Sequence, residues 1–230
     1  MRLDKFICES TGLTRALAKR VLKQGEITVD GEVVKDASLK VSPAMVICLE
    51  GEPLSLIGIR YIMMHKPVDT LCSNVDEVYP SVLTLLDEPL LDRLHFAGRL
   101  DADTTGLLLI TDDGQWSHKV TSPKRECGKR YRVWLAEPLV ADAEQQLQHG
   151  LELRGESELT RPAQLQRISD TEVLLTITEG KYHQVKRMFA ALGNKVIGLH
   201  REAIGAIELD AALTEGEWRY LTDAEIASVG

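Results

Sequence analysis

Ala97-Gly98-Arg99-Leu100-Asp101-Ala102-Asp103-Thr104-Thr105-Gly106 runs directly into Leu107-Leu108-Leu109-Ile110-Thr111-Asp112-Asp113-Gly114. The first of these stretches sets a guanidinium, two carboxylates and two hydroxyls between two glycines. The apolar run behind it predicts a buried strand of about five residues. Asp112-Asp113-Gly114 closes that strand with turn and N-cap chemistry. A polar loop beside a rigid strand is where proteins commonly mount chemistry. Such loops also form simply because Asx and hydroxyl side chains satisfy their own backbone. The loop by itself leaves both readings open.

The rest of the chain narrows them. At 230 residues it can hold one large or two smaller domains, each with its own core. A hydrophobic share of 44% and a charged share of 27% are those of a soluble globular protein. No apolar run approaches the ~20 residues of a membrane helix, so no membrane partner is expected. Met1-Arg2-Leu3-Asp4-Lys5 lacks the apolar core of a signal peptide. Cysteines at 8, 48, 72 and 127 form no Cys-x-x-Cys pair and no metal-ligand spacing. They read as reduced thiols of a cytoplasmic protein. The net charge of −8 opposes indiscriminate binding to polyanions, so any nucleic-acid surface must be local.

Residues 1–58 read as a small module, with 50–58 as a linker punctuated by Gly51, Pro53 and Ser55. A short helix begins near Arg2. Leu13 to Gln24 predicts a second, with Thr14 as N-cap and Gly25 at its end. Leu13, Leu17, Val21 and Leu22 give it an apolar face. Arg15, Lys19, Arg20 and Lys23 share another face, with no acid between them. Ile27 to Val34 then reads as strand, Asp30-Gly31 turn, strand. The module holds eight basic and eight acidic residues, so its cations are segregated rather than abundant. A helix and turn with one cationic face suits a nucleic-acid backbone.

Residues 59–230 read as a larger domain. Tyr61 to Met64 is a strand, Ser81 to Leu86 a short helix capped by Ser81, and Asp113 to Thr121 a helix. Lys119, Lys124, Arg125, Lys129, Arg130 and Arg132 follow, with Glu126 alone opposing them and Trp116, Tyr131 and Trp134 interleaved. Lys129 to Leu135 alternates like a strand, with Arg130, Arg132 and Trp134 on one side and Lys129, Tyr131 and Val133 on the other. Cations for phosphates beside a ring that can stack a base suit single-stranded or splayed RNA. Val140 to His149 is an amphipathic helix. Ala163 to Ile168 and Glu172 to Thr178 form an antiparallel pair of strands, and Val196 to Leu199 and Glu217 to Leu221 add two more. Glu179-Gly180-Lys181-Tyr182-His183-Gln184-Val185-Lys186-Arg187-Met188 leads into a further helix. Its cations Lys186 and Arg187 sit near the N-terminus, where the helix dipole disfavours them. A carboxylate partner would explain that placement.

Two resemblances sharpen the reading. Arg2-Leu3-Asp4-Lys5-Phe6, Thr14-Arg15, Ala18 and Gly25 to Gly31 resemble the S4 RNA-binding domain. The usual form has Ser-Arg and Asn-Gly where this chain has Thr14-Arg15 and Asp30-Gly31, and both exchanges keep the capping and turn chemistry. Gly98 to Leu107 is similar to the signature of RNA pseudouridine synthases. With Lys129-Arg130-Tyr131 and Glu179 to Met188 in order behind it, the chain resembles the RsuA branch along essentially its whole length. Lys186 stands where many relatives carry Arg, offering a point charge instead of a planar fork. Asp101-Ala102-Asp103-Thr104 also fits the Asp-x-Asp-x-Thr of phosphatases of the haloacid dehalogenase type. That chemistry needs an apolar strand ending just before the first Asp, and here the strand follows the motif.

The resemblance implies an α+β fold. A small S4-like αα-β module precedes a larger, mixed, mainly antiparallel sheet with flanking helices. It implies isomerisation of a uridine to pseudouridine in small-subunit ribosomal RNA, free or as a partly assembled ribonucleoprotein particle. Alternatives are a large-subunit enzyme of the same branch and a non-catalytic S4-type RNA-binding protein. The isomerisation is internal and redox-neutral, so no cofactor and no metal are expected. Asp101 is the implied catalytic carboxylate, nucleophile at the sugar or ring or base at the sugar. Lys186, with Arg187 second, would hold it ionised, and Tyr131 would stack on the uracil or handle a proton. Val185 would wall the pocket, Arg99 would help open the RNA, and Asp103, Thr104 and Thr105 would orient the loop. RNA contact is expected from Arg2, Lys5, Arg15, Lys19, Arg20, Lys23, Lys124, Arg125, Lys129 and Arg130. Nothing in the pattern argues against a monomer.

Overall fold

The computed structural model describes residues 1–75 and 77–229. The chain divides into two compact units, Met1–Ile59 and Arg60–Gly230.

In the first unit α1 (Leu3–Thr11) stops at Gly12, which takes the left-handed conformation. Helix α2 (Arg15–Gln24) opens at Thr14, whose hydroxyl accepts the Leu17 N–H, and closes at left-handed Gly25. Strands β1 (Ile27–Val29), β2 (Glu32–Val33), β3 (Ile47–Leu49) and β4 (Glu52–Pro53) form an antiparallel sheet in the order β2-β1-β3-β4. Asp30 and Gly31 both have positive φ, 51° and 86°, the requirement of the tight turn between β1 and β2. Leu3, Ile7, Ala18, Leu22, Ile27 and Ile47 make the core. The buried row of α2 is thus Ala18 and Leu22, four residues apart. Leu17, expected on that face, is 43% exposed. The i,i+4 row aimed at the core excludes its neighbour, about 100° round the helix.

In the second unit β5 (Tyr61–Lys66), β6 (His95–Phe96), β7 (Thr105–Thr111), β8 (Lys129–Leu135), β9 (Gln164–Arg167), β10 (Glu172–Ile177), β11 (Val196–Ile204), β12 (Ile207–Glu208) and β13 (Trp218–Tyr220) build one sheet. Its main order is β13-β5-β7-β11-β8-β10-β9, with β12 on β11 and β6 on β7. The β7–β11 pairing is parallel, with Arg201 opposite Gly106, and the others are antiparallel. Helices α3 (Gly114–Thr121), α4 (Ala143–His149), α5 (Gln184–Ala191) and α6 (Asp223–Ala227) flank it. The architecture is the α+β, mainly antiparallel arrangement expected.

Strand β7 explains its own composition. Leu108 and Ile110 face one core with Val133, Val185, Met188 and Phe189, while Leu107 and Leu109 face another with Trp116, Val120, Ile204 and Ile207. A strand covered on both sides reads as a continuous apolar run. Asp113 caps α3, its carboxylate accepting from the Gln115 and Trp116 N–H groups. Ser81 caps a turn of 3-10 helix over Val82–Leu85 rather than an α-helix. Strand β11 runs five residues past the expected Leu199, through His200, Arg201 and Glu202. Those polar residues interrupt the apolar signal that would have extended it.

Candidate active site

The loop before β7 is held from below. Lys66, at the end of β5, is fully buried. Its ammonium donates to the carbonyls of Pro67 (2.9 Å), Thr104 (3.0 Å) and Ala102 (3.4 Å). Burial pushes its pKa down. The Asp69 N–H adds a bond to the Ala102 carbonyl at 2.8 Å, and the Thr104 N–H closes a turn on the Asp101 carbonyl at 3.1 Å. This backbone clamp presents Asp101 and Asp103 outward.

Helix α5 meets them. Lys186 Nζ lies 3.0 Å from Asp101 Oδ2 and 2.7 Å from Asp103 Oδ1. His183, with φ 48° at the helix N-cap, places Nε2 3.3 Å from Asp101 Oδ1. Its imidazole stacks on Tyr182 with centroids 3.8 Å apart. Burial works against the Lys186 charge, but its bonds to the two carboxylates outweigh that and raise its pKa. Burial likewise pushes Asp103 up, and the Lys186 bond and charge turn the net shift downward. These carboxylates are the partners that a first-turn lysine needs against the helix dipole. Arg187 points elsewhere. Its guanidinium pairs with Glu156 at 2.9 Å and donates to the carbonyls of Tyr182 and Arg154.

Strand β8 supplies Tyr131, on the same side as Lys129 and Val133 as the alternation predicts, and that side is the buried one. Arg201 of β11 donates from Nη1 to the Tyr131 hydroxyl at 3.3 Å and from Nε to the Leu107 carbonyl at 2.8 Å. Its guanidinium carbon stands 5.9 Å from the centre of the tyrosine ring. A cavity of about 530 Å³ lies among these groups, lined by Arg99, Asp101, Lys129, Tyr131, Val185, Lys186 and Arg201. Its size falls in the usual range of ligand pockets.

Thr104 lines the cavity as well. Arg130 faces the other side of the sheet, paired with Glu202 and Glu208 at 3.1 Å each. Lys124 and Arg125 lie exposed on a 3-10 turn before β8. In the first unit Arg2 pairs with Asp4 at 2.8 Å and Lys5 with Glu9 at 3.5 Å. Arg15, Lys19, Arg20 and Lys23 are exposed along α2. Lys129 is buried in the cavity wall, its ammonium on the Cys127 carbonyl. Arg201, Lys66 and His183 carry no assignment from the sequence. His183 lies inside the Glu179 to Met188 motif, whereas Arg201 and Lys66 have no local signal. Among the described residues no group of three or more His, Cys, Asp or Glu side chains is placed to hold a metal ion. No helix there is long and apolar enough to cross a membrane.

Known proteins are similar to this chain along its whole length. A protein of Vibrio cholerae named ribosomal small subunit pseudouridine synthase A is 62% identical over 229 residues, covering 100% of this chain and 99% of that one. The Escherichia coli protein of the same name is 53% identical over 230 residues, covering all of both chains. A crystal structure described as a pseudouridylate synthase superposes with a TM-score of 0.73 at 51% identity, again over 100% of each chain. Residues 1–47 match the S4 domain, and residues 60–191 match the RNA pseudouridylate synthase family. The chain therefore belongs to the RNA pseudouridylate synthase family.

Proposed function

We propose that this protein isomerises a uridine of small-subunit ribosomal RNA to pseudouridine, with Asp101 as the catalytic carboxylate. One observation carries the reading: Asp101 is paired with Lys186 on the wall of a cavity that Tyr131 also lines. The named relatives support the small-subunit substrate.

The reaction detaches uracil from its ribose at N1, turns it and rejoins it through C5. An ionised carboxylate can attack the nucleotide or take a proton from the sugar, in the manner of covalent glycosyl chemistry. The Lys186 ammonium sits 3.0 Å from Asp101 Oδ2, where it offsets the carboxylate's charge. Tyr131 lies against the base, Val185 walls the pocket, and Arg99, just before Asp101 in the loop, helps hold the RNA open. The uridine leaves its stack to enter, at a cost of a few kcal/mol. Phosphate contacts along Arg15, Lys19, Arg20 and Lys23 of α2 offset this. The protein acts as a monomer in the cytoplasm, on RNA that is free or within a partly assembled particle.

Asp101→Asn is nearly isosteric and no longer a nucleophile. It abolishes isomerisation and leaves RNA binding intact. Turnover at the parental rate would remove Asp101 from this role. Mapping pseudouridines in ribosomal RNA from cells lacking the protein shows one small-subunit site unmodified. A full set of small-subunit sites would overturn the substrate.

A further inference from the structure

Two polar atoms at this cavity have no partner among the described residues. They are Nη2 of Arg201 and Oγ1 of Thr104. Both side chains line the cavity, and both residues are 1% exposed. Leaving a buried donor unsatisfied costs about 1–3 kcal/mol. Arg201 is stranger still as a charge. Buried cations are normally paired, because desolvation is otherwise expensive. Arg60, buried to the same degree, has Asp112 and Glu88. Among the described residues Arg201 has only the Leu107 carbonyl and the Tyr131 hydroxyl. Lys129, buried beside it in the cavity lining, also lacks a carboxylate partner among the described residues. Among the described residues, the lining carboxylate that carries an ion pair is Asp101 of the loop, held by Lys186 and His183 at the start of α5. The cavity is thus cationic where it meets the tyrosine, while the Asp101 carboxylate on the loop side is already paired.

That polarity fits an anion which forms only during the reaction. When the bond between C1′ and N1 breaks, its electron pair leaves with N1. The uracil becomes an anion with charge spread over N1, O2 and O4, and the deficiency at C1′ is met by Asp101. Rejoining uses an electron pair of the ring to bond C5 to C1′. C5 then loses its proton and N1 gains one, so the isomerisation is balanced without an oxidant or a metal. Fixed donors aimed at developing charge in a dry site are the strongest catalytic device proteins have.

We propose that Arg201, assisted by the Thr104 hydroxyl, is a catalytic residue that binds the detached uracil as its anion and holds it while it turns. The proposal rests on Asp101 being the group that acts at the nucleotide. On this reading the Tyr131 hydroxyl, which accepts from Arg201 Nη1, serves to orient the guanidinium.

The test is single-turnover conversion by the full-length protein on one RNA in two forms, with uridine or 5-fluorouridine at the target. Loss of the N-linked nucleoside is followed after nuclease digestion. Fluorine stabilises the uracil anion by itself, so it lessens the need for Arg201. Arg201→Met is expected to slow the uridine substrate about 100-fold or more, and the fluorinated substrate by a factor at least ten times smaller. Thr104→Val removes only a hydroxyl that has no partner among the described residues. It is expected to keep or raise Tm, leave RNA affinity unchanged, slow uridine about tenfold, and slow 5-fluorouridine less. Should Arg201→Met fail to fold, Thr104→Val decides on the same ratio. An equal loss on both substrates, the mark of a phosphate contact or a structural role, overturns the proposal, as does no loss at all. Asp101→Asn run in parallel separates the failures. Turnover by that variant defeats the Asp101 reading and this one with it. An inactive Asp101→Asn beside equal losses defeats this one alone.

Discussion

Gly106 and Arg201 face each other across the parallel pairing of β7 and β11 so closely that a Cβ on Gly106 would lie 2.3 Å from the Arg201 carbonyl oxygen. Gly106 also holds φ at 109°, where side chains other than glycine's are strained. The second glycine of the signature therefore joins the two antiparallel halves of the sheet. It brings the Asp101 loop, which ends on β7, beside the Arg201 guanidinium on β11. Gly106→Ala is expected to destabilise the protein by more than about 3 kcal/mol, or about 10 °C in Tm. Denaturant unfolding checks this, and a Tm within 2–3 °C of the parent's, about 1 kcal/mol, would show that the strands can part without harm.

Lys186→Met should leave the fold in place, since the Lys186 side chain is 28% exposed and Asp103's is 71% exposed. The carboxylate at Asp101 loses its ammonium, and kcat is expected to fall about 100-fold with RNA affinity little changed. Lys186→Arg restores a cation and should recover part of the loss. Equal turnover by Lys186→Met and the parent would dismiss the ion pair from the chemistry.

Arg60 anchors the start of the larger unit. Its guanidinium lies 3.1 Å from Asp112 and 3.4 Å from Glu88, and it also donates to the Pro89 and Leu90 carbonyls. The Arg60 and Asp112 side chains are 5% and 4% exposed. Arg60→Met removes the nearer of two cations from the buried Asp112 carboxylate, leaving it Arg93 at 3.5 Å, and should cost about 3 kcal/mol in denaturant unfolding. Combining it with Asp112→Asn should cost less than the sum of the two single changes. Strict additivity would argue that the two side chains are energetically independent.

Glu225 carries an acid sensitivity. Bonds from Arg219 at 2.8 and 2.9 Å, together with the N-cap Thr222 backbone, hold its pKa down at about 2, against 4.5 for the free side chain. A group whose folded pKa is depressed contributes stability above its unfolded value and loses it as pH falls toward the folded one. The contribution is therefore complete above pH 4.5 and fades toward pH 2. Tm measured across that window should fall more steeply for the parent than for Glu225→Gln. Parallel curves would mean that the pair adds nothing to folding.

Much of the fold can be read without coordinates, because local physics writes it into neighbouring residues. Thr14 and Asp113 announce helix starts by cap chemistry, and Asp30-Gly31 announces a hairpin by its need for positive φ. The alternation in Lys129 to Leu135 already puts Tyr131 and Arg130 on opposite faces. The unbroken Leu107 to Ile110 run already implies cover on both sides. What the sequence leaves undecided are the relationships between distant stretches. Lys186 and Arg187 are adjacent cations, and only α5's placement sends one to Asp101 and the other to Glu156. Arg130 looks free until β11 and β12 bring Glu202 and Glu208 to it. Arg201 gives no periodic sign of its role, since its partners, Leu107 and Tyr131, lie 94 and 70 positions away. Capping, turn strain and alternation act over a few residues and leave a trace there. The pairing of a buried charge depends on which strands the sheet sets side by side, and that is settled only when the chain has closed on itself.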